Sequence, residues 1–262
     1  MVSKGGYSSL EFDGFGEDKA FINGYIEYET SKMKLRLGMA TENIVIRAVD
    51  NLSEGEDLTQ AVNEGTFILL YPYVDFVYDA RDSKLNPKNG YYVRLYSELG
   101  LSQEEDASVY HKTLLEGRFI YTLNHFTLSS VAKVGILDAK VAHSLPESKY
   151  FFAGGSYSNR AYGYNELGVI LSPTEDSING ASSLLNLSLE VNYPVWDDIY
   201  GAVFTDNTML NEDAYDFNGE VLSTVGLGVR YITPIGPFKL DVGVNVHDYR
   251  EYGISFQIGQ SF

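Results

Sequence analysis

The side chains that could do chemistry in this 262-residue chain are its charged ones, because the usual nucleophiles and ligands are missing or scattered. There is no Cys, so a thiol nucleophile, a thiolate metal site and a disulfide framework are all excluded. His111, His125, His143 and His247 lie far apart, and no pair has the spacing of metal ligands. Ser and acidic residues abound, yet there is no Gly-x-Ser-x-Gly elbow and nothing in the sequence positions a His beside a nucleophile. The acidic stretch 53–65, SEGEDLTQAVNEG, lacks the regular oxygen-ligand spacing of a calcium loop and reads as an exposed loop. No catalytic residue, no metal site and no cofactor is therefore expected.

One stretch does stand out. Residues 151–168 read FFAGGSYSNRAYGYNELG, with Gly154, Gly155, Gly163 and Gly168 giving the backbone freedom. Arg160 stands alone there among Phe151, Phe152, Tyr157, Tyr162 and Tyr164. A solvated loop tip is usually richer in small polar residues and poorer in rings. The pattern predicts that the link over 138–179 folds inward and packs.

The elements that must position this link read as strands. Almost every other segment alternates with period two, and none carries a 3.6-residue stripe. Phe238, Leu240, Val242, Val244 and Val246 alternate with Lys239, Asp241, Gly243, Asn245 and His247. Tyr252, Ile254, Phe256 and Ile258 alternate with Gly253, Ser255, Gln257 and Gly259, and the chain ends on Phe262. Strands are expected near 5–14, 19–30, 33–41, 66–79, 90–101, 108–121, 125–137, 180–194, 198–207, 221–233, 237–247 and 251–262. An apolar face of this kind meets a second sheet in a soluble sandwich and lipid in a membrane barrel, whose polar face then lines the lumen. Length favours the barrel, since soluble strands run ~5–6 residues and bilayer-crossing strands ~10. Connections alternate as well, with short turns at 31–32, 122–124, 195–197 and 234–236 and long links at 42–65, 138–179 and 208–220. Short periplasmic turns with longer outside loops suit an outer-membrane barrel. An even strand number puts both ends of the sheet on the periplasmic side.

Composition agrees. No apolar run approaches the ~20 residues of a membrane helix, which leaves spanning strands open. The formal net charge of −17 excludes a nucleic-acid partner, which needs a basic face. Residues 1–9, MVSKGGYSS, lack the apolar core of a signal peptide, so a mature or engineered start is expected. No linker composition interrupts the chain, and residues 1–262 are read as one domain.

Several ordered motifs resemble the BamA/TamA superfamily of outer-membrane barrels, most closely its TamA-like members. That family carries a GG followed by a Val-Arg-Gly-Phe/Tyr tetrad in its lumen loop. Here Gly154 and Gly155 precede Asn159-Arg160-Ala161-Tyr162, where the Arg and the aromatic match while Val and Gly do not. LSLEVNYPV (187–195) resembles the family's Ser-x-Glu strand, and GAVFTDNT (201–208) its Phe-x-Asp-x-Gly strand with Thr208 for Gly. GLGVRYITPIGPFKLDVG (226–243) and FQIGQSF (256–262) are similar to its last strands, and DARDSKLNPKNGYYVRL (79–95) to its Arg-Asp…Pro-x-x-Gly turn.

The resemblance implies an all-β transmembrane antiparallel barrel in the bacterial outer membrane, with an inward-folded loop. The family barrel has sixteen strands, five of them after the loop. This chain also gives five after it but about seven before it, so about twelve are expected, or sixteen if an N-terminal part is missing. The family's periplasmic POTRA domains find no counterpart either, which implies a fragment or a minimal branch. By resemblance Arg160 enters the lumen and meets Glu190 and Asp206, with Phe204 beside Asp206. Alternation supports an inward Glu190, on one face with Asn186, Ser188 and Asn192. A static bridge and a gating lock both fit such a pair. Arg94 with Glu98, and Lys112 with Glu116 and Arg118, are read as further lumen pairs. Phe256, Gly259 and Phe262 mark the terminal strand.

The implied function is assistance to polypeptides crossing or entering the outer membrane, with unfolded outer-membrane or secreted chains and lipid as partners. A minimal pore, a lipid-contacting scaffold, or a membrane anchor such as that of a patatin-type autotransporter is the alternative. A homo-oligomer could shield an irregular seam in either case.

Overall fold

The computed structural model describes residues 1–12, 15–48, 64–103, 107–141, 144–169 and 179–259. Twelve antiparallel strands form one sheet in chain order. They are β1 (Val2–Phe12), β2 (Phe15–Glu29), β3 (Met33–Ala48), β4 (Gly65–Asp79), β5 (Gly90–Gln103) and β6 (Ala107–Leu123). They continue as β7 (Phe126–Ala139), β8 (Ser183–Trp196), β9 (Ile199–Asn211), β10 (Leu222–Thr233), β11 (Gly236–Asn245) and β12 (Tyr252–Ile258). Each expected strand is present. The seven before the long link and five after it stand as read.

Several boundaries differ from expectation: β1 begins at Val2 and β2 at Phe15, each earlier than expected. β3 continues beyond residue 41 to Ala48, because Glu42, Ile44 and Ile46 keep facing inward while pairing with Leu69, Phe67 and Gly65 of β4. β9 continues to Asn211 through its pairing with Ser183. β12 ends at Ile258, leaving Gly259 just past it, and Phe262 lies outside the described residues. So does most of the acidic stretch 53–65.

The two faces separate by chemistry. Ile22, Ile26, Leu37, Met39, Leu99, Leu101, Leu227, Ile254 and Phe256 point outward and are exposed, while Glu42, Glu98, Asn186, Glu190, Asp206, Arg230, Lys239 and Asp241 point inward and are buried. A soluble sandwich would bury the first set. An exposed apolar wall around a buried polar interior is the pattern of a lipid-facing barrel.

The interior is not polar throughout. Ile44, Ile46, Phe67, Leu69, Tyr71, Tyr110 and Leu137 face inward and pack against Leu145, Phe151, Ala153, Leu167 and Ala181 of the link. Here the link supplies the apolar partner, so alternation gives way to a core inside the barrel. Each such Phe or Leu contributes roughly 1.5–3 kcal/mol on burial. Side chains of β3 and β5 on one side, and of β8, β9 and β11 on another, contact this one link, so the sheet curls around it. Among the described residues β1 pairs only with β2 and β12 only with β11.

Local chemistry explains the tight connections. Between β4 and β5, Arg81 forms a two-pronged pair with Asp79 at 2.8 and 2.8 Å. Asp82 there accepts the Lys88 and Asn89 amides. This is the turn whose sequence carried the Arg-Asp…Pro-x-x-Gly resemblance. Pro72 sits inside β4, where its missing N–H coincides with a gap in the pairing to β5 between Leu70 and Tyr73.

Candidate functional site

The link turns back on itself in a glycine-built tip. Gly154 has φ +106° and Gly155 φ +80°, a region that suits glycine. A Cβ at Gly154 would lie 2.2 Å from the Gly163 carbonyl oxygen, so the two arms close only over a glycine. The Ser158 hydroxyl accepts the Gly154 amide at 2.8 Å, and the Gly155 amide donates to Tyr162 O at 2.9 Å. Below the tip, bridges pair Ala153 with Leu167, Phe151 with Ala181 and Val169 with Asn179. Lys133 of β7 donates to the Tyr157 carbonyl at 2.7 Å and steadies the tip from the wall.

This fold aims Arg160 at three strands. Its Nε and Nη2 donate to the two carboxylate oxygens of Asp206 (β9) at 2.8 and 2.9 Å. Its Nη1 donates to Glu190 (β8) at 2.7 Å and lies 3.4 Å from Asp241 (β11). The Arg160 backbone amide adds a bond to Asp206 at 3.1 Å. The guanidinium carbon stands 3.4 Å from the centre of the Phe204 ring. Arg230 of β10 shares the same acids, donating to Glu190 at 2.8 Å and to Asp241 at 2.6 Å. Lys239 of β11 is buried with them.

Charge is balanced, with Arg160, Arg230 and Lys239 against Glu190, Asp206 and Asp241, all buried. Removing one member of such a buried set strands an opposite charge, at a cost of ~3–5 kcal/mol. The two-pronged Arg–Asp fork is directional as well as strong. The cluster is therefore a positional lock.

Neighbouring motif residues finish the seat. Asn159 is fully buried, donates to Leu222 O at 3.1 Å and accepts from the Thr224 hydroxyl at 2.6 Å. Ala161 is buried, and the Tyr162 hydroxyl accepts from Asn245 of β11. The floor beneath is a row of cross-strand partners, Phe204–Gly226–Gly243–Gly253 across β9 to β12, three of them glycines. A Cβ would lie 2.8 Å from the Arg160 carbonyl carbon at Gly243, and 2.6 Å from its oxygen at Gly253. The tip backbone thus rests directly on the last two strands.

The structure brings together Gly154, Gly155, Asn159, Arg160, Ala161, Tyr162, Phe204, Glu190 and Asp206. It does not bring Phe256 or Gly259 there; Phe256 points outward beside Phe238, with ring centres 6.3 Å apart. Gly253 is the residue of the terminal strand that meets the tip. Arg94 pairs with Asp75 at 2.9 Å rather than with Glu98, while Arg118 pairs with Glu116. Glu98 and Lys112 both turn to the link instead, at Lys149.

Sequence reasoning left out Arg230, Lys239 and Asp241 as lock members, although their alternation with apolar neighbours marks them as inward. It also left out a small outward group. His111 Nε2 lies 2.8 Å from the Thr113 hydroxyl and 3.2 Å from the Ser97 hydroxyl. These side chains satisfy one another on the outer wall, where the strand amides are engaged in the ladder and provide no oxyanion donors.

The chain matches the Omp85 superfamily domain over residues 11–262. Its fold is similar to that of BamA from Haemophilus ducreyi lacking POTRA domains 1–3, with TM-score 0.69 and 15% identity. That alignment covers 99% of this chain and 64% of the BamA chain. It is also similar to CdiB from Escherichia coli, with TM-score 0.57 and 11% identity over 98% of this chain and 48% of that one. The chain thus spans less than two thirds of either relative.

Proposed function

The chain belongs to the Omp85 superfamily, and from that premise we propose that it is an outer-membrane barrel that assists the insertion or secretion of polypeptides. In this reading residues 1–262 act as one barrel domain and the 138–179 link as its lumen plug. Unfolded polypeptides and outer-membrane lipid are its partners, and its role is mechanical rather than enzymatic. One observation carries the reading. The Arg160 lock seats the tip on Gly243 and Gly253, so the plug is tied to the last two strands, and β12 has one edge without a partner strand among the described residues. Movement of the plug and movement of that edge are then one event. An edge freed this way can pair with an incoming strand, since unpaired N–H and C=O groups template a new one.

The test is reconstitution of the barrel into lipid vesicles, followed by the folding rate of a urea-unfolded outer-membrane protein added outside. Acceleration over protein-free vesicles, lost in Arg160→Ala, is the expected result. An unchanged rate sinks the reading and leaves the anchor or scaffold role. Beside Arg160 the tip narrows the bore to a cavity of about 30 Å³.

A further inference from the structure

The buried cations of the lumen segment are set into wall acids at two places among the described residues, and we propose that Lys149 forms a second latch, independent of Arg160, so that the segment leaves the lumen only when both anchors let go. Lys149 ends the short 3-10 turn Glu147–Lys149, on the arm that enters the barrel ahead of the Arg160 tip. Its Nζ lies 3.1 Å from Glu42 of β3 and 3.2 Å from Glu98 of β5, and 4.1 Å from the centre of the Tyr71 ring on β4. Glu42 is further held by the Tyr71 hydroxyl at 2.7 Å and by Lys19 of β2 at 3.1 Å. Glu98 accepts from the Tyr96 hydroxyl. The main chain is gripped as well, since Lys112 of β6 donates to the Lys149 carbonyl and stands 4.8 Å over the Phe151 ring.

The two anchors share no residue. The Lys149 anchor draws on β2 to β6, and the Arg160 lock on β8 to β12. The segment is a brace across the lumen, with a cation at each end set into acids of opposite walls. When one end is released, the other keeps the first at high effective concentration near its seat, so it re-forms. Independent anchors in series make the free energies of release additive and the opening constants multiplicative.

Planar-bilayer conductance of the full chain tests this with Lys149→Met, Arg160→Ala and the double variant. Lys149→Met leaves Lys19 and Lys112 opposite Glu42 and Glu98, so no net charge is stranded there. Each single variant is expected to raise the open fraction on the order of tenfold, and the double variant on the order of a hundredfold, close to the product. Two results overturn the proposal: Lys149→Met adds nothing in either background, or alone opens the lumen as far as the double variant. Heat-modifiable migration on gels establishes that each barrel is folded. Should Lys149→Met fail to fold, Glu42→Gln with Glu98→Gln keeps the shape, removes the same attraction and must reproduce its opening. The readout uses no polypeptide substrate, so a failed folding assay leaves it untouched.

Discussion

Arg160 contacts Asp206 through two nitrogens, Glu190 through a third and the Phe204 ring through its face. A flat, forked cation can do this at once, and a point charge on a flexible stem cannot. Arg160→Lys is therefore expected to behave close to Arg160→Ala, losing ~3 kcal/mol or more because the two-pronged pair with Asp206 is lost while Glu190 keeps only Arg230. The urea unfolding midpoint of the refolded barrel checks this, and a midpoint near wild type would mean that charge alone suffices. A second residue sets a pH dependence. Burial pushes the Glu147 carboxyl up to about 7, against an ordinary 4.5, although its oxygen accepts the Gly180 amide. The folded protein then keeps a proton that the unfolded chain releases, so this contribution to stability falls as pH rises from 4.5 to about 7 and is flat above. Asp138, Lys140, Glu212 and Asp213 line the same cavity of about 590 Å³, and Glu147→Gln isolates the one carboxyl among them. That variant should flatten the slope of the unfolding midpoint between about pH 5 and 7. At this scale the sequence reveals which residues face inward but not which partner each finds. Alternation marks Arg94, Glu98, Asp241 and Arg230 as inward alike. Only the fold sends Arg94 to Asp75 and leaves Glu98 for a lysine on the link.

At the scale of elements, β11 and β12 are shaped by what rests on them. Gly243 and Gly253 are cross-strand partners beneath the Arg160–Ala161 backbone. In the structure the space left by the missing side chain of Gly253 is occupied by the tip. Gly253→Ala would place a methyl 2.6 Å from the Arg160 carbonyl oxygen, closer than real Cβ atoms come, so the tip must lift. The expected result is openings in planar bilayers resembling those of Arg160→Ala, with the Lys149 anchor intact. Gly24→Ala is the control, since a Cβ there meets nothing within 4 Å. Equal behaviour of the two variants would show that the tip does not depend on this floor. Strand number and order were legible, because a period of two survives wherever one face meets lipid. The far half of β3 was not. Ile44 and Ile46 are apolar on the inward face, where the link packs, so the expected polar–apolar contrast vanishes at the very residues that make the internal core.

For the whole molecule, the segment across the lumen does two jobs with the same charges: it fills the bore, and its Lys149 and Arg160 neutralise acids on opposite walls. Withdrawing it removes two cations and exposes Glu42, Glu98, Glu190, Asp206 and Asp241 to the bore, against Lys19, Lys112, Arg230 and Lys239 left on the walls. The surplus is acidic, and the chain as a whole carries −17. A ring of carboxylates in a narrow bore favours cations. The open state of the Lys149→Met, Arg160→Ala variant is therefore expected to be cation-selective, with a reversal potential of the matching sign under a KCl gradient. Selectivity should fade as ionic strength rises and the wall charges are screened. An anion-selective or unselective current would place the conducting path elsewhere, along the edges of β1 and β12 that lack a partner strand among the described residues, rather than through the bore. The sign of one potential thus decides whether leaving the lumen and opening the wall are the same motion.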